Sequence, residues 1–201
     1  MTRDLRWRII SLQVLMIVVL GFGAGAMFFA NNFTNSQIKG QLAPQQISFP
    51  KDVEPTIAEI NAKYPDLQGY IADLRNYQGQ PVMSGNQAHV FAEAYLGVHV
   101  RDIDNGKPYS VLSSEARVEK DPELKAKKDA MVQTAFRGET LRSILNQAWA
   151  FSVMGDIALY LALGLIAATL LVTAALVFEL FFAPKRETQA VRLGSLATNR
   201  A

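Results

Sequence analysis

Two stretches of this chain, residues 9–30 and 157–178, carry no charged side chain. Each is 22 residues long, which as a helix spans about 33 Å, close to the hydrocarbon thickness of a bilayer. Neither shows the polar stripe of a helix half-buried in a soluble core. The pattern predicts two transmembrane helices. Between them, residues 31–147 turn polar, with no internal repeat and no low-complexity stretch.

Short helical periods fill that middle segment. The first span is expected to continue as a polar helix over residues 35–42 and to stop before Pro44. Gln45 to Phe49 reads as extended, because Pro50 disfavours helix in the residue preceding it. Residues 55–63 and 66–77 read as short helices split by Tyr64-Pro65, and residues 76–85, with two glycines and Pro81, as a loop. Phe91, Ala94, Tyr95 and Val98 recur at spacings of three and four, which predicts a helix over residues 86–100. Asp104-Asn105-Gly106 reads as a turn and residues 109–118 as a further helix. Asp121-Pro122-Glu123 is a helix start, with a capping acid, proline at the first position and an acid near the positive helix end. Leu124, Met131, Ala135 and Phe136 then form an apolar stripe. Gly138 is a candidate kink, beyond which Leu141, Ile144, Leu145, Ala148 and Ser152 carry the same period into the second span. The expected fold is an all-α membrane protein: a two-helix transmembrane hairpin with a small helical extracytoplasmic domain.

Charge sets the orientation. Arg3, Arg6 and Arg8 stand against Asp4 in residues 1–8, and Lys185, Arg186, Arg192 and Arg200 against Glu187 in residues 183–201. The middle segment is balanced, with 13 basic and 14 acidic residues. By the positive-inside rule both termini are cytoplasmic and residues 31–147 lie outside the cell (inner) membrane. Trp7 and Trp149 fall at span boundaries, where indoles favour the headgroup layer. The rival reading is a signal peptide cleaved near Ala24-Gly25-Ala26; the apolar run continues through Met27, Phe28 and Phe29 to Ala30, which suits a retained anchor. Residues 148–182 are then an interfacial helix leading into the second span. An antiparallel pair with Ile9 level with Phe178 sets Glu179 beside Arg6 and Arg8, and predicts an ion pair there.

The residue inventory argues against several chemistries. With no cysteine, disulfides, thiolate metal sites and a cysteine nucleophile are excluded. A net charge of +2, distributed as above, gives no case for nucleic acid. His89 and His99 lie ten residues apart on one expected helix, about 80° around its axis and nearly three turns along it, too far to share a metal. Ser110, Ser113 and Ser114 sit in no nucleophile elbow. Gly21, Gly23 and Gly25 lie inside an apolar run with no strand before them, so they are no phosphate loop. Gly21 with Gly25, Gly164 with Ala168, and Ala158 with Ala162 instead make small-residue faces that admit a neighbouring helix, unless they reflect only the frequency of small residues in spans. Asn32-Phe33-Thr34 matches a glycosylation pattern too close to the bilayer for use. Asp156 and Glu179 bracket the second span and read as boundary markers rather than a proton path. No catalytic, cofactor or metal residue is expected.

Several pieces together resemble an uncharacterised family of two-span membrane proteins from actinobacteria: Phe29-Ala30-Asn31-Asn32-Phe33, Gln45-Gln46-Ile47-Ser48-Phe49-Pro50, Ala88-His89-Val90-Phe91-Ala92, Lys107-Pro108-Tyr109-Ser110 and, most specifically, Phe136-Arg137-Gly138-Glu139-Thr140-Leu141-Arg142 leading to Ala148-Trp149-Ala150-Phe151. Some relatives carry a ring-opening dioxygenase label. That chemistry commonly needs iron on two histidines and a carboxylate, which His89 and His99 do not supply together. The chain is also similar to small accessory subunits of the actinobacterial respiratory supercomplex. The expectation is a non-catalytic accessory or assembly protein, with the lipid bilayer and a membrane-protein complex, respiratory by resemblance, as partners. The alternative is an extracytoplasmic ligand-binding or sensor module that signals through a partner. Glu139 and Arg142, three apart, are expected to pair on the helix surface. The face of Leu141, Ile144, Leu145 and Ala148 is expected to pack against the helix around Phe91 and Tyr95, and the alternative is that Glu139 and Arg142 also meet a partner subunit.

Overall fold

The computed structural model describes residues 3–104 and 106–182. The basic tail residues Lys185, Arg186, Arg192 and Arg200, together with Glu187 and Asn105, lie outside them. Among the described residues every regular element is helical: α1 (Arg3–Leu42), α2 (Glu54–Lys63), α3 (Ile71–Tyr77), α4 (Gly85–Val90), α5 (Gly97–Asp104), α6 (Tyr109–Val118) and α7 (Pro122–Phe181). Short 3-10 turns cover Ala43–Gln45 and Pro65–Tyr70, and a π-helical turn covers Phe91–Leu96. The expected all-α fold stands. Two of the helices, α1 and α7, are long and apolar enough to cross a membrane.

The chain divides into two compact units, Met1–Asn31 with Asp156–Ala201, and Asn32–Gly155. In the first, large apolar side chains are turned outward: Leu12, Val18, Phe22, Leu163 and Leu171 are all more than half exposed. A helix from a soluble core would bury such residues. Ala24 and Ala162 are buried on these two helices. A Cβ on Gly23 would sit 3.3 Å from Leu165 Cδ1. Glu179 accepts at its backbone oxygen from Arg6 Nη2 at 2.9 Å, and its Oε1 lies 3.3 Å from Arg6 Nε. The ion pair expected from the antiparallel register is therefore present, with Arg6 as its cation. Thr169 and Thr173 donate their hydroxyls to carbonyls four residues back, so neither is left unsatisfied among apolar neighbours.

The second unit has its own core. Ile38 and Leu42 of α1 pack with Phe49, Val53, Ile57, Ile60, Leu67, Leu74, Val82 and the apolar face of α4 and α5, closed by Leu145 of α7. Phe91 meets Phe49 edge-on at 5.3 Å and Tyr95 at 5.0 Å. Gln46, at φ 53°, turns the chain after the first 3-10 turn, and Ser48 pairs with Pro81 in an isolated bridge, so the expected extended segment is only partly realised. α4 starts at Gly85, one residue before the expected start at Asn86, because Ser84 and Gln87 form a reciprocal capping box. The predicted cap at Asp121 is in place, its Oδ1 accepting from the backbone of Glu123 at 2.8 Å and Leu124 at 3.0 Å.

One expectation is corrected: the helix predicted over residues 86–100 is interrupted by the π turn. α7 runs on through Gly138, and a Cβ there would collide with Val100, so the glycine serves the close approach of α5. The same logic holds at Gly85, where a Cβ would collide with Ser152 of α7. The apolar stripe from Leu124 to Phe136 is also only partly buried. Ala135 is covered, while Leu124 and Phe136 are about half exposed and Phe136 rests against Tyr109.

Candidate functional site

On α7, Arg142, Asn146 and Trp149 recur at spacings of four and three and so share one face. That face meets the π turn, and the two together hold the most connected polar cluster of the second unit. Arg142 Nη2 donates to Glu93 Oε2 at 2.8 Å, Nη1 to Glu139 Oε1 at 2.9 Å, and Nε to the Ala92 carbonyl at 3.2 Å. That carbonyl also accepts the Gly97 amide five residues on, the bond that defines a π turn. Gly97 leaves room for the guanidinium: a Cβ there would lie 3.2 Å from the Ala92 oxygen and 3.4 Å from Arg142 Nε. The Arg142 and Glu93 side chains are only 17% and 19% exposed, so the pair is screened much less than a surface bridge.

From Glu93 the chain of hydrogen bonds continues. Asn146 donates its amide to Glu93 Oε1. An ionised carboxylate only accepts, so this contact fixes which end of the amide is the nitrogen. Asn146 Oδ1 therefore accepts from His89 Nδ1 at 2.8 Å, and the remaining ring nitrogen Nε2 stands 3.0 Å from the Tyr70 hydroxyl. In the neutral ring Tyr70 donates to Nε2. The imidazole lies flat on Trp149, centroids 4.1 Å apart.

Electrostatics follow from burial. Desolvation pushes the Glu93 carboxyl up, but the Asn146 amide and the Arg142 guanidinium together outweigh it and hold the group below its ordinary range. Burial, with the Glu93 charge nearby, pushes the Tyr70 hydroxyl up. Glu93 is thus kept ionised and Tyr70 protonated at neutral pH. The cluster ties α7 to the π turn and to the Pro65–Tyr70 turn, and each of its members has a partner.

The sequence pointed to two of these residues. Glu139 and Arg142 do pair, but Arg142 turns its other donors inward to Glu93 and Ala92 rather than presenting them to solvent. Tyr70, Glu93, His89 and Asn146 were not singled out as a group. A readable signal existed in the polar face of α7 opposite Leu141, Ile144 and Ala148, and in Glu93 alone among the apolar residues 90–96. His99 is exposed, with Nδ1 against the Tyr95 carbonyl at 2.9 Å. Among the described residues no group of His, Asp or Glu is placed to hold a metal ion.

In the first unit Gly21, Gly25 and Gly164 have nothing within 4 Å of where a Cβ would stand, and Ala168 is half-buried. The close approach falls at Gly23, against Leu165, beside the buried Ala24, and among the described residues the Gly21–Gly25 face is left open.

The second unit also holds a groove of about 810 Å³ between residues 33–42 of α1, the turn that follows, and residues 141–151 of α7. Its wall includes Ile38, Ile47, Leu141, Ile144 and Phe151, with Gln37 and Gln41 on one side. No charged residue lines it. Lys39 and Arg142, the charged residues on the two helical stretches, both lie outside its lining, and Arg142 is turned to Glu93. No family model, no curated protein and no solved structure matches this chain.

Proposed function

We propose that this protein is a non-catalytic accessory or assembly subunit, anchored by α1 and α7 in the cell membrane and packed against a larger membrane complex. Both termini face the cytoplasm, and residues 31–147 form a helical extracytoplasmic domain. The observation that carries the reading is the open face at Gly21 and Gly25, matched by Gly164 on the other apolar helix. Within lipid, helices associate through close backbone approach at small residues. Among the described residues, nothing packs against these three. The polar cluster around Arg142 supports the same reading, because its donors and acceptors are spent on one another in a structural tie.

The resemblance to accessory subunits of the actinobacterial respiratory supercomplex makes a cytochrome-containing complex the partner to test. A tagged full chain is purified in mild detergent from its native membranes, and a reduced-minus-oxidised spectrum is recorded. Haem absorbance that co-purifies with the native chain and is lost with Gly21→Leu/Gly25→Leu, at unchanged expression and insertion, is the expected result. A chain that purifies alone, or a variant that keeps its haem proteins, counts against the reading.

A second reading, an extracytoplasmic ligand-binding or sensor module signalling through a partner, draws on the groove of about 810 Å³. That volume lies within the range of about 300–1,000 Å³ typical of small-molecule sites.

A further inference from the structure

We propose that the groove beside α1 and α7 holds one acyl tail of a membrane phospholipid. The inference rests on the reading of α1 and α7 as membrane anchors, and three observations carry it.

The first is chemistry. The second unit is rich in charge, yet all sixteen residues lining the groove are uncharged. The charges on both walls avoid the groove's lining, whose polar groups are all neutral: the hydroxyl of Thr34 and the amides of Gln37, Gln41, Gln45 and Gln147. An occupant with a charged buried part would find no counter-charge here. A hydrocarbon chain needs none.

The second is length. Residues 33–42 and 141–151 are each helical, so each wall runs about 14–15 Å. That is about half of the ~30 Å hydrocarbon thickness, the depth reached by one tail in one leaflet.

The third is exposure and its place in the chain. Ile144 is 57% exposed and Phe151 50%, outside both uncharged runs. The α1 wall begins three residues after the first run ends at Ala30. The α7 wall ends six residues before the second begins at Ile157. Apolar surface in such a place needs cover, and both walls lead directly out of segments that lipid would already surround.

The test uses the full chain in phosphatidylglycerol and phosphatidylcholine vesicles containing a phospholipid with a photoactivatable diazirine on its tail. After irradiation and digestion, labelled peptides are mapped. Labelling of residues 141–151 and 33–47 is expected in addition to residues 9–30 and 157–178. Gln41→Glu, an exposed and isosteric change, places a charge in the groove and is expected to cut labelling of the groove peptides severalfold while the apolar runs label as before. Ile144→Trp fills the groove and is expected to do the same. Thermal unfolding confirms that both variants are folded, and Gln41→Glu keeps the test standing if the bulkier change disturbs packing. Unlabelled groove peptides beside labelled apolar runs, the outcome if a protein segment occupies the groove, overturn the proposal. So does groove labelling that neither variant reduces. Unlabelled apolar runs overturn instead the anchoring on which it rests.

Discussion

At the residue scale the second unit depends on one guanidinium. Arg142 holds Glu93, Glu139 and the Ala92 carbonyl together, and Asn146 passes the contact on to His89 and Tyr70. Removing one partner of a screened pair leaves the other desolvated without compensation, and that residual penalty exceeds the net value of the pair itself. Arg142→Met is accordingly expected to cost about 1–3 kcal/mol in the unfolding of the second unit. Glu93→Gln should cost a similar amount, and the double variant clearly less than the sum. Additive costs in that cycle would show that the two groups do not act as a pair. The same carboxylate gives a pH dependence. Its folded value lies below the ordinary 4.5, so its contribution is complete above about 4.5 and is lost as pH falls through the lowered value. Thermal unfolding of the native chain, followed from pH 6 to pH 3, should lose stability relative to Glu93→Gln at the acid end. Parallel curves would mean that Glu93 titrates alike in the folded and unfolded chain.

At the scale of elements the decisive features are close approaches, and glycine makes them. Gly138 meets Val100, and Gly85 meets Ser152, at distances that no Cβ fits. Gly138→Ala therefore overpacks the contact of α7 with α5 and is expected to destabilise by about 1–3 kcal/mol. Gly69→Ala, a change with open space around it, is the control, and equal melting temperatures for the two would refute the packing argument. The sequence made such features legible unevenly. Helix ends set by local chemistry could be read directly: the Asp121 cap, Pro122 at the helix start, the stop before Pro44, and α6 from Tyr109 to Val118. Gly138 was visible as an anomaly but not as a contact, since its reason, Val100, lies 38 positions away. The π turn at Phe91–Leu96 was hidden behind residues that fit an ordinary helical period. Its Ala92 carbonyl is held by Arg142, 50 residues on, and no local pattern encodes that bond. The polar cluster was missed for the same reason. Each of its links except Glu139–Arg142 joins residues far apart in sequence.

For the whole molecule, the proposal that Asn32–Gly155 lies outside the cell rests on charge. Translocating a segment is opposed by Lys and Arg near the spans, and orientation follows their excess. The excess lies at the two ends, where Arg3, Arg6 and Arg8 outnumber Asp4 and four basic residues outnumber Glu187. The segment between the uncharged runs offers no such bias. Arg6 adds a local reason for its own end to stay at an interface: it is paired with Glu179, and both long side chains can extend toward water only if their end of the helix pair is the wet one. That geometry sets Arg6 and Glu179 at the same end of the helix pair, and on the proposed topology the basic tails put that end in the cytoplasm. Single cysteines report the outcome directly, because the native chain has none. Ser113→Cys, on α6 and half-buried, and Ser195→Cys, beyond the described residues, are each treated in intact cells with a membrane-impermeant maleimide. Ser113→Cys is expected to label and Ser195→Cys to label only after lysis. Ser114→Cys, one position on and more exposed, serves as a second outer probe if the first reacts slowly. The reverse pattern would place the polar unit in the cytoplasm and undo the charge argument. Labelling of both in intact cells would mean a single crossing or a re-entrant segment.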